Sequence, residues 1–141
     1  MILYIDTTDR EKMFIALLLK EKQDFKVLAY KSVLAWRKQS EKLLPSIDKL
    51  LLSVDSKIKD VKKIIVNNNG GSFTSLRIGV ITANALGFAL KIPVYSGQAD
   101  TLKKDKIIKI AKLETQKKFS GYYLVEPIYS SEPNIGIKQA C

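Results

Sequence analysis

The chain has 141 residues and 46% hydrophobic content, enough for one buried core and a short appendage but not for two full domains. Its formal net charge of +10 suits contact with nucleic acid, an anionic membrane surface or an acidic protein, provided that the charge is clustered. There is no histidine and a single cysteine, Cys141, which excludes disulfide frameworks and Cys/His zinc sites and fits a reducing cytoplasm. The longest strictly apolar run, residues 13–19, is too short to span a bilayer. We therefore expect a cytoplasmic protein that is neither secreted nor inserted in a membrane.

The positive charge is spread along the chain rather than gathered in one motif. Lysines are densest in residues 57–63 and 103–112, and no aromatic residues are interleaved there to stack on bases. This pattern predicts a solvated lysine surface.

Three apolar runs open the chain, at residues 2–5, 13–19 and 26–31, and polar turns separate them. Such runs are typical of a three-stranded antiparallel meander. From Ser40 to Val54 the apolar period changes to three and four residues, which predicts an amphipathic helix. Ser40 is the expected N-cap, and Pro45 is expected near the first turn, where its missing N–H costs least.

A short β-branched strand is predicted at residues 63–66, a helix at 73–90 and a last strand at 93–95. Three strands, helix, strand, helix and strand is the order of a ribonuclease H-like core, as in the actin-like ATPase superfamily. We thus predict an α/β fold with a mixed sheet of about five strands and two packed helices.

Residues 1–98 are assigned to this domain and residues 99–141 to a short C-terminal appendage. Within the appendage, residues 103–119 are drawn as a lysine-rich helix, although 106–113 can also be read as a ragged strand. The tail, residues 125–135, carries two prolines and is expected to run extended over the surface.

A nuclease of this fold needs clustered carboxylates to hold two magnesium ions. Asp6 and Glu41 can fill two of the usual places, but the third reads Asn67-Asn68-Asn69, whose amides carry no charge. Without histidine, nucleophilic catalysis also lacks its usual base. The sequence therefore predicts no catalytic residues, no metal site and no cofactor.

Two loops resemble phosphate loops. Asp6-Thr7-Thr8 follows the first strand, as does the first phosphate loop of actin-like ATPases, but those enzymes close nucleotide between two such halves and this chain has room for one. The glycine loop, Gly70 to Thr74, begins the second predicted helix and can present backbone N–H groups to phosphate, although no Walker motif is present. A plain strand-to-helix turn is the alternative reading of this loop.

The second predicted helix carries a stripe of small residues. Gly79, Ala83 and Gly87 lie at i, i+4 and i+8 on one face. Glycine inside a helix costs about 1 kcal/mol against alanine, so a packing reason is expected. Either a partner's helix lies close against the stripe, or the chain's own neighbouring elements do.

Several segments resemble the TsaB family, also called YeaZ. Ile5-Asp6-Thr7-Thr8 is similar to its opening Ile-Asp-Thr-Ser, and Ser40-Glu41-Lys42-Leu43-Leu44-Pro45 to its Ser-Glu-x-Leu-Leu-Pro. The most specific match is the segment from Gly71 to Gly79, which resembles Gly-Ser-Phe-Thr-Gly-Leu-Arg-Ile-Gly. Asn69, Ser75 and Gln39 depart from the family pattern, and most of the family's second domain is expected to be missing.

This resemblance implies a non-catalytic scaffold that pairs with TsaD, the related threonylcarbamoyltransferase, in the formation of threonylcarbamoyladenosine next to the anticodon of tRNAs that read codons starting with A. It implies a four-helix interface with TsaD and, without a partner, a homodimer through the same helices. The expected interface residues are Leu43, Leu44, Ile47, Leu51, Leu76, Arg77, Val80, Ala83 and Gly87. Ser72, Phe73 and Thr74 are expected to face the ATPase TsaE, and tRNA is expected to bind through the complex.

Arg77 needs a carboxylate or carbonyl partner, because a guanidinium opposes the positive end of a helix dipole, and a salt bridge is the simplest expectation. Two other functions stay open. The first is an actin-like nucleotide-binding or phosphotransfer enzyme that uses Asp6 and the glycine loop. The second is a basic tRNA-binding module whose affinity falls steeply with salt.

Overall fold

A computed structural model of the chain describes residues 1–97, 108–109, 111 and 124–128. A five-stranded mixed sheet with strand order β3-β2-β1-β4-β5 organises them. In chain order the elements are β1 (Ile2–Asp6), β2 (Lys12–Glu21), β3 (Asp24–Leu34), α1 (Gln39–Leu52), a 3-10 turn (Ile58–Asp60), β4 (Lys63–Val66), α2 (Phe73–Leu90) and β5 (Val94–Ser96). The first three strands are antiparallel, whereas β1, β4 and β5 are parallel. The predicted ribonuclease H-like arrangement is confirmed.

The central strand β1 is buried on both faces of the sheet. Leu3 and Ile5 belong to the core beneath the two helices, whereas Ile2 and Tyr4 belong to a second apolar cluster on the opposite face. A strand covered on both sides reads as a continuous apolar run, as this one does. Ala111 is fully buried in the second cluster, so the chain beyond residue 97 helps to cover that face.

Helix α1 begins two residues earlier than expected, at Gln39. Its N-cap is Lys38, whose side chain makes no capping hydrogen bond, so the prediction of Ser40 as N-cap is wrong. Gln39 explains the earlier start, because its buried side-chain amide donates to the Asp9 carbonyl at 2.6 Å and fixes the chain there. Pro45 consequently lies in the second turn of the helix rather than the first.

Helix α2 has the predicted bounds, and Ser72 caps it by accepting a hydrogen bond from the Ser75 N–H at 3.1 Å. By length and composition this helix could cross a membrane, with a mean hydropathy of 1.4. Residues 13–19 are the longest strictly apolar run in the sequence, whereas Arg77 and several hydroxyl residues interrupt the apolar sequence of α2. Leu76, Val80 and Ala83 pack into the core above the sheet, and such a composition also suits a helix with one face on a protein core.

Residues 124–128 return to pack against residues 1–97 in an extended conformation. The Val125 N–H and carbonyl bond the side-chain amide of Asn84 at 3.0 and 2.9 Å, and Val125 itself enters the core. Asn68 makes two further bonds, to the Glu126 carbonyl and from the Ile128 N–H. Ile108, Lys109 and Ala111 are helical, and the rest of the predicted lysine-rich helix and of the tail lies outside the described residues.

Candidate functional site

Buried polar residues meet where the parallel strands β1 and β4 end. This polar cluster consists of Asp6, Thr7, Thr8, Gln39, Asn67 and Ser75. In open α/β sheets, the carboxyl ends of parallel strands are where ligands usually bind. The predicted phosphate loop, Asp6 to Thr8, and the glycine loop both lie at this edge, so the sequence motifs are brought together in space.

The Asp6 carboxylate is already occupied by the protein's own donors. It accepts hydrogen bonds from the Thr8 N–H at 2.9 Å, from the Thr8 hydroxyl at 2.6 Å and from the Asn67 side-chain amide at 3.0 Å. Only 5% of the residue is exposed. These contacts use the acceptor positions that a hydrated magnesium ion would need.

The two loops touch each other where Gly71 meets Thr8. A Cβ atom added at Gly71 would overlap the main-chain carbonyl of Thr8, and Gly71 has a φ of 73°, where glycine is favoured. A nucleotide between the loops would have to separate them. The glycine loop therefore serves as a close-packed turn and helix cap, the alternative reading of its sequence.

Thr7 joins the first loop to the middle of α2. Its hydroxyl donates to the Ser75 carbonyl at 2.5 Å and accepts from the Gly79 N–H at 3.1 Å, so it bridges two groups that are four residues apart in the helix. A Cβ at Gly79 would overlap this hydroxyl. Gly79 is thus required by the chain's own β1 loop.

The other small residues of the stripe also face the chain's own sheet. Ala83 is fully buried, and a Cβ at Gly87 would overlap the Val94 side chain on β5. The interpretation that a partner's helix lies against the stripe is therefore wrong for this conformation. The close neighbours are β1, β5 and their loops.

Seven of the nine predicted interface residues are buried in the chain's own core. They are Leu43, Ile47, Leu51, Leu76, Val80, Ala83 and Gly87. The prediction placed the interface on the apolar stripe of each helix, but that stripe covers the sheet, as expected for an amphipathic helix on a core. Leu44 and Arg77 alone among the nine are exposed.

A second apolar surface faces away from the sheet. We call it the outer face, and it comprises Ser40 and Leu44 on α1 with Thr74, Arg77, Ile78, Ile81 and Phe88 on α2. Leu44 is 52% exposed, Ile81 56% and Phe88 74%. A groove of about 300 Å³ runs along it between Ser40 and Ile81. The sequence predicted the two helices but not this face. The apolar residues that recur every three or four positions lie on the opposite side of each helix, against the sheet.

Arg77 has an aromatic partner rather than an acidic one. Its guanidinium carbon lies 5.2 Å from the centroid of the Phe73 ring, one turn earlier in α2. It forms no ion pair with any carboxylate in the part of the chain that the structure describes, so the expected salt bridge is not found among these residues. The cation–π contact places the positive charge over the negative face of the ring.

Glu41, the second carboxylate considered for a metal pair, is exposed on α1. Among residues 1–97 and the shorter described segments, no three carboxylate or thiol side chains converge on one point.

Tyr4 supplies a test of the polar cluster's electrostatics. Burial, and next the nearby Asp6 carboxylate, raise the pKa of its phenol above the usual value near 10. The unfolded chain therefore loses this proton first, and folding stability falls as pH rises above about 10, by about 1.4 kcal/mol for each unit. We expect the stability advantage of the wild type over Tyr4→Phe to shrink between about pH 9 and pH 11 in urea titrations. A difference that does not change with pH would contradict a neutral, buried Tyr4.

A model of the family described as TsaD, tRNA N6-adenosine threonylcarbamoyltransferase, matches residues 33–96. Over 93 residues the chain is 36% identical to the tRNA threonylcarbamoyladenosine biosynthesis protein TsaB of Bacillus subtilis, covering 66% of this chain and 38% of that protein. The protein of the same name from Buchnera aphidicola is 35% identical over 54 residues, 38% of this chain and 26% of the relative. The solved structure of YeaZ from Pseudomonas aeruginosa superposes with a TM-score of 0.59 at 29% identity. The chain thus resembles the TsaB/YeaZ family.

This chain spans only part of its relatives. The P. aeruginosa superposition covers 67% of this chain and 42% of that one, so the likeness concerns one sheet with its two helices. The polar cluster, the glycine loop and the outer face all lie within residues 1–97. What the full-length relatives do is for this chain a matter of proposal.

Proposed function

We propose that the chain is a non-catalytic subunit in the synthesis of threonylcarbamoyladenosine on tRNA, and that it pairs through its outer face with a TsaD-like threonylcarbamoyltransferase. The relatives from B. subtilis and Buchnera carry this pathway in their names. The observation that carries the pairing is the outer face itself, where large apolar side chains of α1 and α2 remain exposed although both helices already cover the sheet.

A TsaD-like occupant is supported by the match of residues 33–96 to the TsaD family. This segment contains α1, β4, α2 and β5, so the same pair of helices is expected in the partner. Two chains with the same helix pair can meet face to face about a pseudo-twofold axis, each presenting the same surface. The same geometry allows a homodimer when the chain is alone.

The polar cluster supports a non-catalytic role. Asp6 is fully hydrogen-bonded and buried, and Gly71 closes against Thr8, so the nucleotide-binding alternative lacks an open carboxylate and requires the two loops to separate. The hydrogen bonds of this cluster connect β1, β4 and both helices, which makes the helix pair a rigid platform.

Ile81→Asp and Leu44→Asp test the pairing. Each puts a carboxylate at the centre of the outer face, and we expect each to weaken binding to the TsaD-like chain at least about 30-fold, because desolvating an unpaired charge is costly. Both residues are more than half exposed, so the monomer should remain folded. The measurement is titration calorimetry with TsaD from the same genome.

Leu34→Asp is the matched control. Leu34 is 75% exposed at the end of β3 and is not one of the outer-face residues, so its substitution should leave pairing unchanged. Wild-type affinity in both outer-face variants would refute this interface. An equal loss in Leu34→Asp would indicate a general solubility effect instead.

Three further parts of the proposal rest on family resemblance. Ser72, Phe73 and Thr74 are proposed to contact a TsaE-like ATPase, since Phe73 and Thr74 line an open cavity beside the outer face. The protein is proposed to act in the cytoplasm. The division into residues 1–98 and 99–141, with a reduced second domain, remains a prediction.

A further inference from the structure

Three arginines, two from separate loops and one from helix α2, line one cavity. Arg10 lies in the β1–β2 turn, Arg37 in the β3–α1 connection and Arg77 in the first turns of α2, and together they line a cavity of about 790 Å³. Trp36 and Phe73 line it as well. We call this cavity the arginine pocket.

The arginine pocket has no acidic counterpart among the described residues. None of its lining side chains is a carboxylate, and none of its three guanidinium groups forms an ion pair within residues 1–97 or the shorter described segments. Three uncompensated guanidinium groups in a concave site attract an anion, and guanidinium forks match phosphate oxygens in bidentate geometry. The general charge of +10 adds long-range attraction for a polyanion.

The two aromatic rings of the pocket, Trp36 and Phe73, favour an anion that carries a ring of its own. The Arg37 guanidinium carbon lies over the Trp36 ring, 5.5 Å from its centroid, so Arg37 covers one face of the indole, while Trp36 remains 54% exposed. An indole beside guanidinium groups offers a stacking platform for a nucleobase next to donors for its phosphate. An acidic peptide would use the guanidinium groups but gain little from the ring.

From this geometry we propose that the arginine pocket binds single-stranded RNA, with phosphodiester groups on Arg10, Arg37 and Arg77 and a base stacked on Trp36. Recognition is through backbone charge and stacking, so it is tolerant of sequence. The lysine-rich segments 57–63 and 103–112 did not indicate RNA binding, because they contain no aromatic residues. The pocket's residues are far apart in the chain and only the fold brings them together.

The test uses the isolated chain and a fluorescently labelled uridine oligomer of about 15 nucleotides, a length that covers a typical single-strand site. At low salt we expect Arg10→Ala and Arg37→Ala each to weaken binding about 3- to 10-fold and to lower the salt-dependence slope by about 0.7. Trp36→Ala should weaken binding about 10-fold, whereas Trp36→Phe should retain most of it, because a ring remains for stacking.

Lys59→Ala is the control for charge alone, since it removes one exposed lysine outside the pocket. An equal effect of Lys59→Ala and Arg10→Ala would overturn the proposal in favour of diffuse charge. Tight binding of UMP at the same site would reassign the pocket to a free nucleotide. Binding of polyglutamate that competes with the oligomer and ignores Trp36→Ala would reassign it to an acidic protein segment.

Arg77 belongs to both the arginine pocket and the outer face, so the RNA-binding test uses residues outside the outer face. The substitutions at Arg10, Trp36 and Arg37 meet this condition, and the assay contains no partner. Loss of TsaD binding in Ile81→Asp with normal RNA binding, or the reverse, separates the two proposals.

Discussion

Gly71→Ala is expected to destabilise the protein by about 3 kcal/mol or more. Two costs add at this position. A left-handed φ of 73° costs about 1–2 kcal/mol for a residue with a Cβ, and overlap with a neighbouring group in a packed site costs a further 1–3 kcal/mol. The overlapping atoms are the Thr8 main chain, which cannot move aside as a flexible side chain could.

Gly70→Ala is the matched control for the backbone term. Gly70 also has a positive φ, 88°, but a Cβ there would meet nothing within 4 Å. Gly70→Ala should therefore lower the free energy of unfolding only by the cost of a left-handed φ, about 1–2 kcal/mol. Urea unfolding of both variants measures the difference, and equal losses at the two glycines would show that the loops are not in contact.

Asp6→Ala is the second large effect, with an expected loss of about 3 kcal/mol. The substitution leaves the buried Asn67 amide and the half-buried N–H and hydroxyl of Thr8 without their acceptor, and a buried donor left unpaired costs about 1–3 kcal/mol. Thermal or urea unfolding provides the measurement.

Asp9→Ala is the corresponding exposed control. The Asp9 carboxylate also accepts from backbone N–H groups, those of Glu11 at 2.8 Å and Lys12 at 3.3 Å, but in an exposed turn where water can replace it. We expect a loss of at most about 1 kcal/mol. If Asp9→Ala were as costly as Asp6→Ala, the polar cluster would not be the stabilising element inferred from its burial.

The expected loss of stability in Asp6→Ala affects how a nucleotide-binding assay of this variant is interpreted. Loss of ATP binding in Asp6→Ala would ordinarily identify a magnesium-holding carboxylate. Here the same variant disrupts the cluster that positions both loops, so binding and stability have to be measured on the same sample. A variant that loses ATP binding while it keeps wild-type stability would revive the nucleotide-binding alternative.

The fold could be predicted from sequence because its elements are locally distinct. Short apolar runs bounded by polar turns gave the strands, and the change to a three- and four-residue period marked α1. The helix start at Gln39 could not be predicted, because it depends on a hydrogen bond to Asp9, thirty residues earlier. Local capping rules favoured Ser40, and a tertiary contact overrode them.

The candidate site was predictable in its motifs but not in its orientation. The sequence identified Asp6, the glycine loop and the two helices, yet it could not tell which helix face covers the sheet. Gly79 illustrates the difficulty, since a small residue serves a partner's helix or the chain's own Thr7 equally well in the sequence. The arginine pocket could not be predicted because Arg10, Arg37 and Arg77 lie far apart in the sequence, in two loops and in helix α2.

The Asn84 side chain acts towards Val125 as a neighbouring strand would, because its amide supplies both the donor and the acceptor that a β-bridge needs. A helix side chain thereby fastens a distant part of the chain to residues 1–97, with Val125 in their core. A fragment ending at residue 97 would expose this amide and the core position that Val125 fills. We therefore expect a fragment cut at the predicted boundary, residue 98, to be less stable than one that retains residues 124–128.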